Sequence, residues 1–243
     1  PANGMRVQGW MSQEVEGSLV LNTSADVEDL IIPMNAKDPA KETTSVQFAC
    51  NLDKRTPELE EGAGLADILK ATWGTELKVY DSFGDQHLLR VDFTRVPETN
   101  NQWTATVSVD PQSETPTGAS AGFGEAGASI GGGNTFTVEF SNEGTISRVI
   151  DAQGNESPEE GLLTMRVSYD VQGANLDEDG NIPRQEFVLN MGEVGAYDNA
   201  ITQYAERSST KMVEQDGYSM GYLENFKIDQ SGMITGIYSN GTN

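Results

Sequence analysis

The sequence contains a single cysteine, a single histidine and few basic residues. One cysteine, Cys50, cannot form an internal disulfide, and without further Cys or His residues the chain has no zinc-binding pattern. Only 15 Lys and Arg residues stand against 38 Asp and Glu residues, which gives a formal net charge of −23. So acidic a surface repels the phosphates of nucleic acids and of anionic membranes, and we expect neither as a partner.

Long hydrophobic runs are also missing. No apolar stretch approaches the roughly 20 residues of a transmembrane helix. The chain starts with Pro1 and shows no basic segment followed by an apolar one, as a signal peptide would. We therefore expect this sequence to be a piece of a longer protein whose terminal segments are not included.

Short strands separated by glycine-containing turns are the main pattern that is present. Residues 76–80, 88–93, 103–109 and 135–140 alternate between polar and apolar side chains, as half-buried strands do. Helical periodicity is found at residues 65–73, where Leu65, Ile68, Leu69 and Trp73 would share one face. The sequence therefore predicts an all-β fold with at most one or two short helices.

Two loop-like regions interrupt the strand pattern at residues 111–134, which are rich in Ser, Thr, Gly and Ala, and at the acidic residues 151–161. Both lie in the β-rich middle of the chain. The predicted organisation is two β domains, with an outer domain (residues 41–189) inserted into a discontinuous one (residues 1–40 plus 190–243).

Two motifs suggest ligand sites, and both have simpler interpretations. Residues 122–127 match G-x-G-x-x-G, but no strand precedes them and no helix follows to bind a phosphate, so we predict no cofactor. Residues 175–180 with Glu186 resemble a calcium-binding EF-hand loop, although the flanking residues read as strands instead of helices. An acidic, β-rich calcium- or carbohydrate-binding module therefore remains an alternative function.

Cys50 follows an alternating run at residues 46–49, which places it in a strand. A free cysteine is most often a small buried hydrophobic residue, and redox, nucleophilic and cross-linking roles are the alternatives. The lone histidine, His87, would act as a base toward Cys50 only if the fold brought the two together.

Three segments together resemble bacterial flagellar hook proteins. They are the GMRVQGW sequence at residues 4–10, the VYDSFGDQH sequence at residues 79–87, and residues 215–241, which begin QDGY and end YSNG. The segments follow the order found in that family and span nearly the whole chain. The resemblance implies one all-β domain inserted into another, without the helical termini of hook proteins. It also implies a structural, non-enzymatic role in a curved tube that transmits motor torque to the filament.

The Cys-Asn pair at Cys50 and Asn51 resembles the spirochaete members of the hook family. Their subunits are joined by lysinoalanine, formed when the cysteine loses its sulfur and a lysine of another subunit adds to the product. The resemblance assigns Cys50 as the precursor of the electrophile, Lys37 as the nucleophile and Asn51 as a helper. Lys41 and Lys54 remain possible substitutes for Lys37, and a merely buried Cys50 remains the competing hypothesis.

The same resemblance implies the partners and the location of the protein. Its partners would be other copies of itself in a helical polymer, together with flagellar rod, cap and junction proteins. Its location would be the flagellum, and in a spirochaete the flagellum lies in the periplasm.

Overall fold

The computed structural model describes residues 5–15, 18–32, 36–97, 101–112, 118–123, 133–171, 173–176 and 180–242. The chain divides into two compact units, unit 1 (Pro1–Asp38 with Gly221–Asn243) and unit 2 (Pro39–Met220). Strands dominate both units, and unit 2 also contains a short α-helix, which agrees with the predicted all-β class. Within the described residues, no helix has the length and apolar character needed to span a membrane.

The elements are numbered in chain order. They are β1 (Gln8–Gly9), β2 (Ser12–Val15), β3 (Ser18–Leu21), β4 (Glu28–Asp29), β5 (Lys37–Asp38), β6 (Ser45–Asp53), α1 (Leu65–Ala71), β7 (Thr72–Tyr80), β8 (Gln86–Arg95), β9 (Gln102–Val109), β10 (Ala119–Gly122), β11 (Thr135–Phe140), β12 (Ile146–Asp151), β13 (Leu162–Asp170), β14 (Arg184–Glu193), β15 (Ile201–Tyr204), β16 (Ser209–Gln215), β17 (Gly221–Ile228) and β18 (Ile234–Tyr238).

Unit 2 is built from two sheets that share one hydrophobic core. One sheet has the order β10-β13-β14-β6-β15, with β16 also paired to β6, and the other has the order β12-β11-β9-β8-β7. Side chains alternate between buried and partly exposed along β6, β8 and β9, so each strand turns one face to the core. Contacts between the sheets include the rings of Phe48 and Phe93, whose centroids are 6.3 Å apart. Trp103 Nε1 also donates a buried hydrogen bond of 2.6 Å to Gln203 Oε1.

The predicted hairpin at residues 79–87 is confirmed as the turn between β7 and β8. Asp81 Oδ1 accepts hydrogen bonds from the backbone N–H groups of Phe83 and Asp85, at 2.9 and 2.8 Å. Gly84 has a φ of +85°, and a Cβ there would lie 2.6 Å from the Cβ of Ala40. The turn therefore requires glycine both for its left-handed backbone and for its close packing.

The helix α1 is shorter than predicted. It ends at Ala71, and Trp73 belongs to β7 instead of the apolar face of the helix. The chain changes to strand here because Thr72 and Trp73 pair with Thr94 and Phe93 of β8, and this pairing outweighs the local helical pattern. Leu65 and Leu69 remain exposed on the helix surface, at 79% and 76% of their full accessibility.

Unit 1 consists of small antiparallel sheets. Strand β1 pairs with β4, β2 pairs with β3, and β17 lies between β18 and β5. The turn between β17 and β18 is closed by Asp229, whose Oδ1 accepts hydrogen bonds from the N–H groups of Ser231 and Met233. Leu223 is buried in this unit, whereas Phe226 and Ile228 are exposed.

The boundary between the units differs from the predicted one. Residues 190–220 were assigned to the discontinuous domain with the two chain ends, but they lie in unit 2. The reason is strand pairing, because β15 runs parallel to β6 and β16 runs antiparallel to it. The predicted loop at residues 111–134 also contains β10, which pairs with β13. Residues 113–117 and 124–132 of that loop lie outside the described residues.

Candidate functional site

Cys50 lies in the middle of β6 with its thiol in the core of unit 2. Only 4% of the residue is accessible, and it belongs to the same buried cluster as Phe48 and Leu52. Burial raises the pKa of the Cys50 thiol, since a thiolate is poorly solvated in an apolar environment. On one side β6 pairs with β15, and on the other β16 places Thr210 opposite Cys50. The thiol is therefore protonated and shielded in the folded unit.

Asn51 follows Cys50 on the strand, so its side chain projects from the opposite face. Its Oδ1 accepts a hydrogen bond of 2.9 Å from the N–H of Tyr204. Its Nδ2 donates to the carbonyl oxygens of Glu206 and Arg207, at 3.1 and 3.5 Å. The amide thus holds the connection between β15 and β16 against β6.

Lys37 lies in unit 1, on the edge strand β5, whereas Cys50 lies in unit 2. Its backbone pairs with Tyr222, and its Nζ is 6.0 Å from the centroid of the Tyr222 ring, at the outer limit of a cation–π contact. The Lys37 side chain is exposed. The structure therefore leaves the Lys37 amine at the surface while it buries the Cys50 thiol.

The two substitute lysines are both in unit 2. Lys41 Nζ is 3.4 Å from Asp216 Oδ2, in an ion pair in which the lysine side chain is 49% exposed. Lys54 is exposed just after β6, and its backbone N–H donates to the carbonyl oxygen of Tyr204 at 3.0 Å. Neither has a described contact with the Cys50 thiol.

His87 is held by two carboxylates. Its Nδ1 is 2.6 Å from Asp110 Oδ2 and its Nε2 is 3.2 Å from Asp81 Oδ2. When the ring is protonated, both of its nitrogens donate to these carboxylate oxygens, which accept hydrogen bonds. Burial alone would lower the pKa of His87, but the hydrogen bonds and charges of Asp110 and Asp81 outweigh it, and the pKa is raised. Both ring nitrogens of His87 thus face carboxylates of Asp110 and Asp81, and neither of these contacts joins the ring to Cys50.

The calcium-site hypothesis concerns residues 175–186, and residues 177–179 lie outside the described residues. Across the parts of the chain that the structure describes, no group of three or more His, Cys, Asp or Glu side chains is arranged to hold a metal ion. The G-x-G-x-x-G sequence at residues 122–127 continues beyond Phe123 into residues that are not described.

The QDGY sequence at residues 215–218 has a structural role that the motif alone did not reveal. Asp216 Oδ1 accepts hydrogen bonds from the N–H groups of Thr44 and Ser45, at 2.9 and 3.0 Å. Gly217 packs so closely on Thr43 that a Cβ would lie 2.3 Å from Thr43 Oγ1. Tyr218 then exchanges two backbone hydrogen bonds of 2.9 Å with Lys41. These residues fasten the end of unit 2 to its beginning, just before β6 and Cys50.

Comparison with known proteins gives one family match and several similar chains. The family described as "Flagellar basal body protein FlaE D2 domain" matches residues 51–218. The chain is 56% identical over 241 residues to "Flagellar hook protein FlgE" of Treponema pallidum, which covers 99% of this chain and 51% of that protein. It is 44% identical to the protein of the same name from Borreliella burgdorferi, over 99% of this chain and 49% of that protein.

More distant similarity extends to Helicobacter pylori. Its flagellar hook protein FlgE is 27% identical over 192 residues, covering 76% of this chain and 22% of that protein. The crystal structure of H. pylori flagellar hook protein FlgE2 superposes with a TM-score of 0.40 at 18% identity, over 70% of this chain and 30% of that one. The chain spans about half the length of the two spirochaete relatives that it matches.

Proposed function

Because this chain belongs to the flagellar hook protein family, in its spirochaete branch, we propose that it is a stretch of a subunit that polymerises into the flexible hook. The subunit would transmit torque from the motor to the filament, in contact with other copies of itself and with rod, cap and junction proteins. The 56% identity to T. pallidum flagellar hook protein FlgE, across 99% of this chain, carries the proposal. We also propose that the hook lies in the periplasm, because the relatives of highest identity given above are spirochaete proteins.

Electron microscopy of the full-length protein tests this role. Purified under polymerising conditions, or isolated with the basal body, the full-length protein should form curved tubes that an antibody against residues 39–220 decorates. A strain without the gene should lack hooks, and the intact gene should restore them. Hooks that persist in the deletion strain would show that another protein forms the tube.

We further propose that neighbouring subunits are joined by lysinoalanine between Cys50 and Lys37. A base removes the Cα proton of Cys50, the Cβ–S bond breaks, and the sulfur leaves as hydrosulfide, which gives dehydroalanine. The neutral amine of Lys37 from another subunit then attacks Cβ, a new N–C bond forms, and the Cα carbon takes up a proton. Hydrosulfide and one proton are released in total, so each link lowers the mass by one H₂S.

The burial of Cys50 and the exposure of Lys37 set conditions on this chemistry. The Lys37 amine is at the surface, where another subunit can reach it. The Cys50 carbon that must be attacked lies beneath the β6–β16 pair, with 4% of the residue accessible. The reaction therefore requires β16 to separate locally from β6. We propose that contact with a neighbouring subunit opens this edge, so that a lone chain keeps its thiol.

Denaturing gels and mass spectrometry of assembled polymer test the cross-link. Cys50→Ala and Lys37→Ala should each abolish multimers that survive denaturation, while Lys41→Ala and Lys54→Ala serve as matched controls and should keep them. Peptides from wild-type polymer should contain Cys50 joined to Lys37 with the loss of one H₂S. Multimers that persist in both the Cys50 and Lys37 variants would refute the proposal.

A further inference from the structure

The YSNG sequence at residues 238–241 forms a tight turn at the end of β18. Two backbone hydrogen bonds close it, from the Gly241 N–H to the Tyr238 carbonyl oxygen at 3.0 Å and from the Tyr238 N–H to the Thr242 carbonyl oxygen at 3.1 Å. Gly241 has a φ of +87°, a conformation that favours glycine. We call residues 238–242 the C-terminal turn. Its side chains contact the other two strands of the sheet, β17 and β5.

Ser239 attaches the C-terminal turn to β17. Its Oγ accepts a hydrogen bond of 3.0 Å from the Tyr222 N–H, and its own N–H donates to the Tyr222 carbonyl oxygen at 3.0 Å. Both backbone groups of Tyr222 therefore face the turn, so Tyr222 and Lys37 form a pair without hydrogen bonds between β17 and β5. The side chains of such a pair lie close together across the two strands.

Asp38 attaches the C-terminal turn to β5. Its Oδ2 is 2.8 Å from the Thr242 hydroxyl oxygen and accepts a hydrogen bond of 3.3 Å from Asn240 Nδ2. The Thr242 hydroxyl is also 2.8 Å from Asn240 Oδ1, but the carboxylate is the stronger acceptor for its one proton. Asn240 fits here because Gly221, which pairs with Asp38, has no side chain. A Cβ on Gly221 would lie 2.6 Å from Asn240 Cγ.

Strand β5 is short, and its backbone pairing specifies its position weakly. It has two residues and lies at the edge of the sheet β18-β17-β5. A backbone hydrogen bond of 2.9 Å joins the Leu223 N–H to the Ala36 carbonyl oxygen just before the strand. A slip of one residue in the pairing register turns the side chains of a strand to the opposite faces of the sheet. The contacts of the Asp38 side chain distinguish the observed register from the slipped one.

The register of β5 decides where the Lys37 amine lies. Lys37 and Asp38 are consecutive in the strand, so their side chains project from opposite faces. While the C-terminal turn holds the Asp38 carboxylate, Lys37 projects from the other face, where it is exposed. A slip of one residue would turn Lys37 toward the face that Asp38 now occupies.

We propose that Asp38 and the C-terminal turn position Lys37 for the cross-link by fixing the register of β5. Thr242 and Asn240 are positioning residues, because they act on Lys37 through Asp38 and not on the reacting atoms. The inference rests on the proposed cross-link and concerns its second step, the attack of the Lys37 amine on dehydroalanine. The first step takes place at Cys50 in unit 2 and does not depend on these contacts within unit 1.

The addition of an amine to a double bond is sensitive to the placement of both groups. A displacement of about 1 Å can slow such a reaction by about a hundredfold. A strand β5 without its anchor would still place Lys37 correctly for part of the time. We therefore expect loss of the Asp38 contacts to slow the addition by about tenfold or more, whereas Lys37→Ala abolishes it.

Mass spectrometry of the full-length protein during assembly tests the proposal, because dehydroalanine and lysinoalanine at position 50 are measured separately. Thr242→Val keeps the shape of the side chain but removes its hydroxyl. It should slow the formation of lysinoalanine by about tenfold, while dehydroalanine forms at the wild-type rate and accumulates. Asp38→Ala should have the same effect. Thr242→Ser, which keeps the hydroxyl, should react at the wild-type rate.

Asp229→Ala is the matched control. Asp229 closes the β17–β18 turn in the same sheet, where its Oδ1 accepts hydrogen bonds from the N–H groups of Ser231 and Met233. This variant should form lysinoalanine at the wild-type rate. If it slows the link as much as Asp38→Ala does, the effect comes from the general stability of unit 1 and the proposal is overturned. A loss of dehydroalanine in parallel with lysinoalanine in Thr242→Val would overturn it as well.

Hydrogen exchange measures the anchor without the cross-link. In the unassembled full-length protein, the Leu223 amide, which donates to Ala36, should exchange about tenfold faster in Thr242→Val than in wild type. The Met233 amide, which donates to Asp229, should exchange at the same rate in both. A Leu223 amide that exchanges equally in both proteins would contradict the anchoring of β5.

The outcomes separate this inference from the proposed function. Wild-type polymer without lysinoalanine would reject the cross-link and the positioning role together. Wild-type polymer that contains lysinoalanine, with Thr242→Val and Asp38→Ala polymers that form it equally fast, would reject the positioning role alone. The cross-link and the hook assignment would then stand.

Discussion

The clearest prediction concerns His87, the only histidine of the chain, and the pH dependence of folding. Its two ring nitrogens lie 2.6 and 3.2 Å from carboxylate oxygens of Asp110 and Asp81, and its pKa is raised in the folded protein. A raised folded pKa stabilises the fold fully below the unfolded value of about 6.5. That stabilisation is lost as the pH rises through the higher folded pKa. The free energy of unfolding should therefore fall above pH 6.5, by up to about 1.4 kcal/mol per pH unit.

Removal of the ring gives the magnitude of the interaction. The side chains of His87 and Asp81 are 10% and 1% exposed, and that of Asp110 is 26% exposed. Breaking a buried ion pair costs about 3–5 kcal/mol, and the partial exposure of Asp110 favours the lower end. We expect His87→Gln to lower the free energy of unfolding by about 3 kcal/mol at pH 6. In a Cys50→Ala background the variant should show no slope between pH 6.5 and 8, because neither Gln nor Ala titrates.

Urea unfolding from pH 5.5 to 8, followed by circular dichroism and tryptophan fluorescence, measures both effects. Cys50→Ala is the control for the upper end of the range, where the thiol of the unfolded chain begins to ionise. A wild-type protein with constant stability from pH 6.5 to 8 would refute the reasoning. The same slope in wild type and His87→Gln would also refute it, since the slope would then come from another group.

Three further predictions follow from the packing around β6. Gly217→Ala places a Cβ 2.3 Å from Thr43 Oγ1 and should cost about 2 kcal/mol in thermal unfolding. Gly64→Ala, with open space around it at the N-cap of α1, should cost less, about 1 kcal/mol or below. Asn51→Ala removes the hydrogen bonds to Tyr204 and Glu206 and should lower the free energy of unfolding by about 1–3 kcal/mol. It should also speed proteolytic cleavage between β15 and β16, and an unchanged rate of cleavage would contradict this. Cys50 should resist a thiol reagent at neutral pH until the chain unfolds, because burial raises the pKa of its thiol, and rapid labelling of the native protein would contradict this.

Local sequence patterns predicted the strands that alternate along one face of a sheet. This alternation predicts β7, β8, β9 and β11, because each of these strands buries the side chains of one face in the core. β10 was not anticipated, since Ala119–Gly122 are small residues whose strand conformation is imposed by pairing with β13. The predicted boundary at residue 190 differed for a similar reason. The pairing of β15 with β6 joins residues about 150 positions apart, which no local pattern encodes.

The candidate site was predictable in part. The alternating residues before Cys50 placed it in a strand, and the structure buries it there. Asn51 is predicted to assist Cys50, and the three-dimensional structure adds that its amide bonds to the chain at and after the end of β15. Whether it also assists the cross-link stays a prediction. The proposed reaction of Lys37 with Cys50 would join two subunits, so a single chain does not contain the contact that it needs.

The fastening of residues 215–218 to the segment before β6 has a mechanical consequence. Lys41 and Tyr218 exchange two hydrogen bonds, so the points where the chain enters and leaves unit 2 are direct neighbours. A pulling force that arrives at one point can leave at the other through these bonds and the Asp216 contacts, without crossing the two sheets. The two sheets of unit 2 therefore bear little of a load carried along the backbone. The core of unit 2 can remain packed while β5 and β17, which precede and follow the unit in the sequence, are stretched.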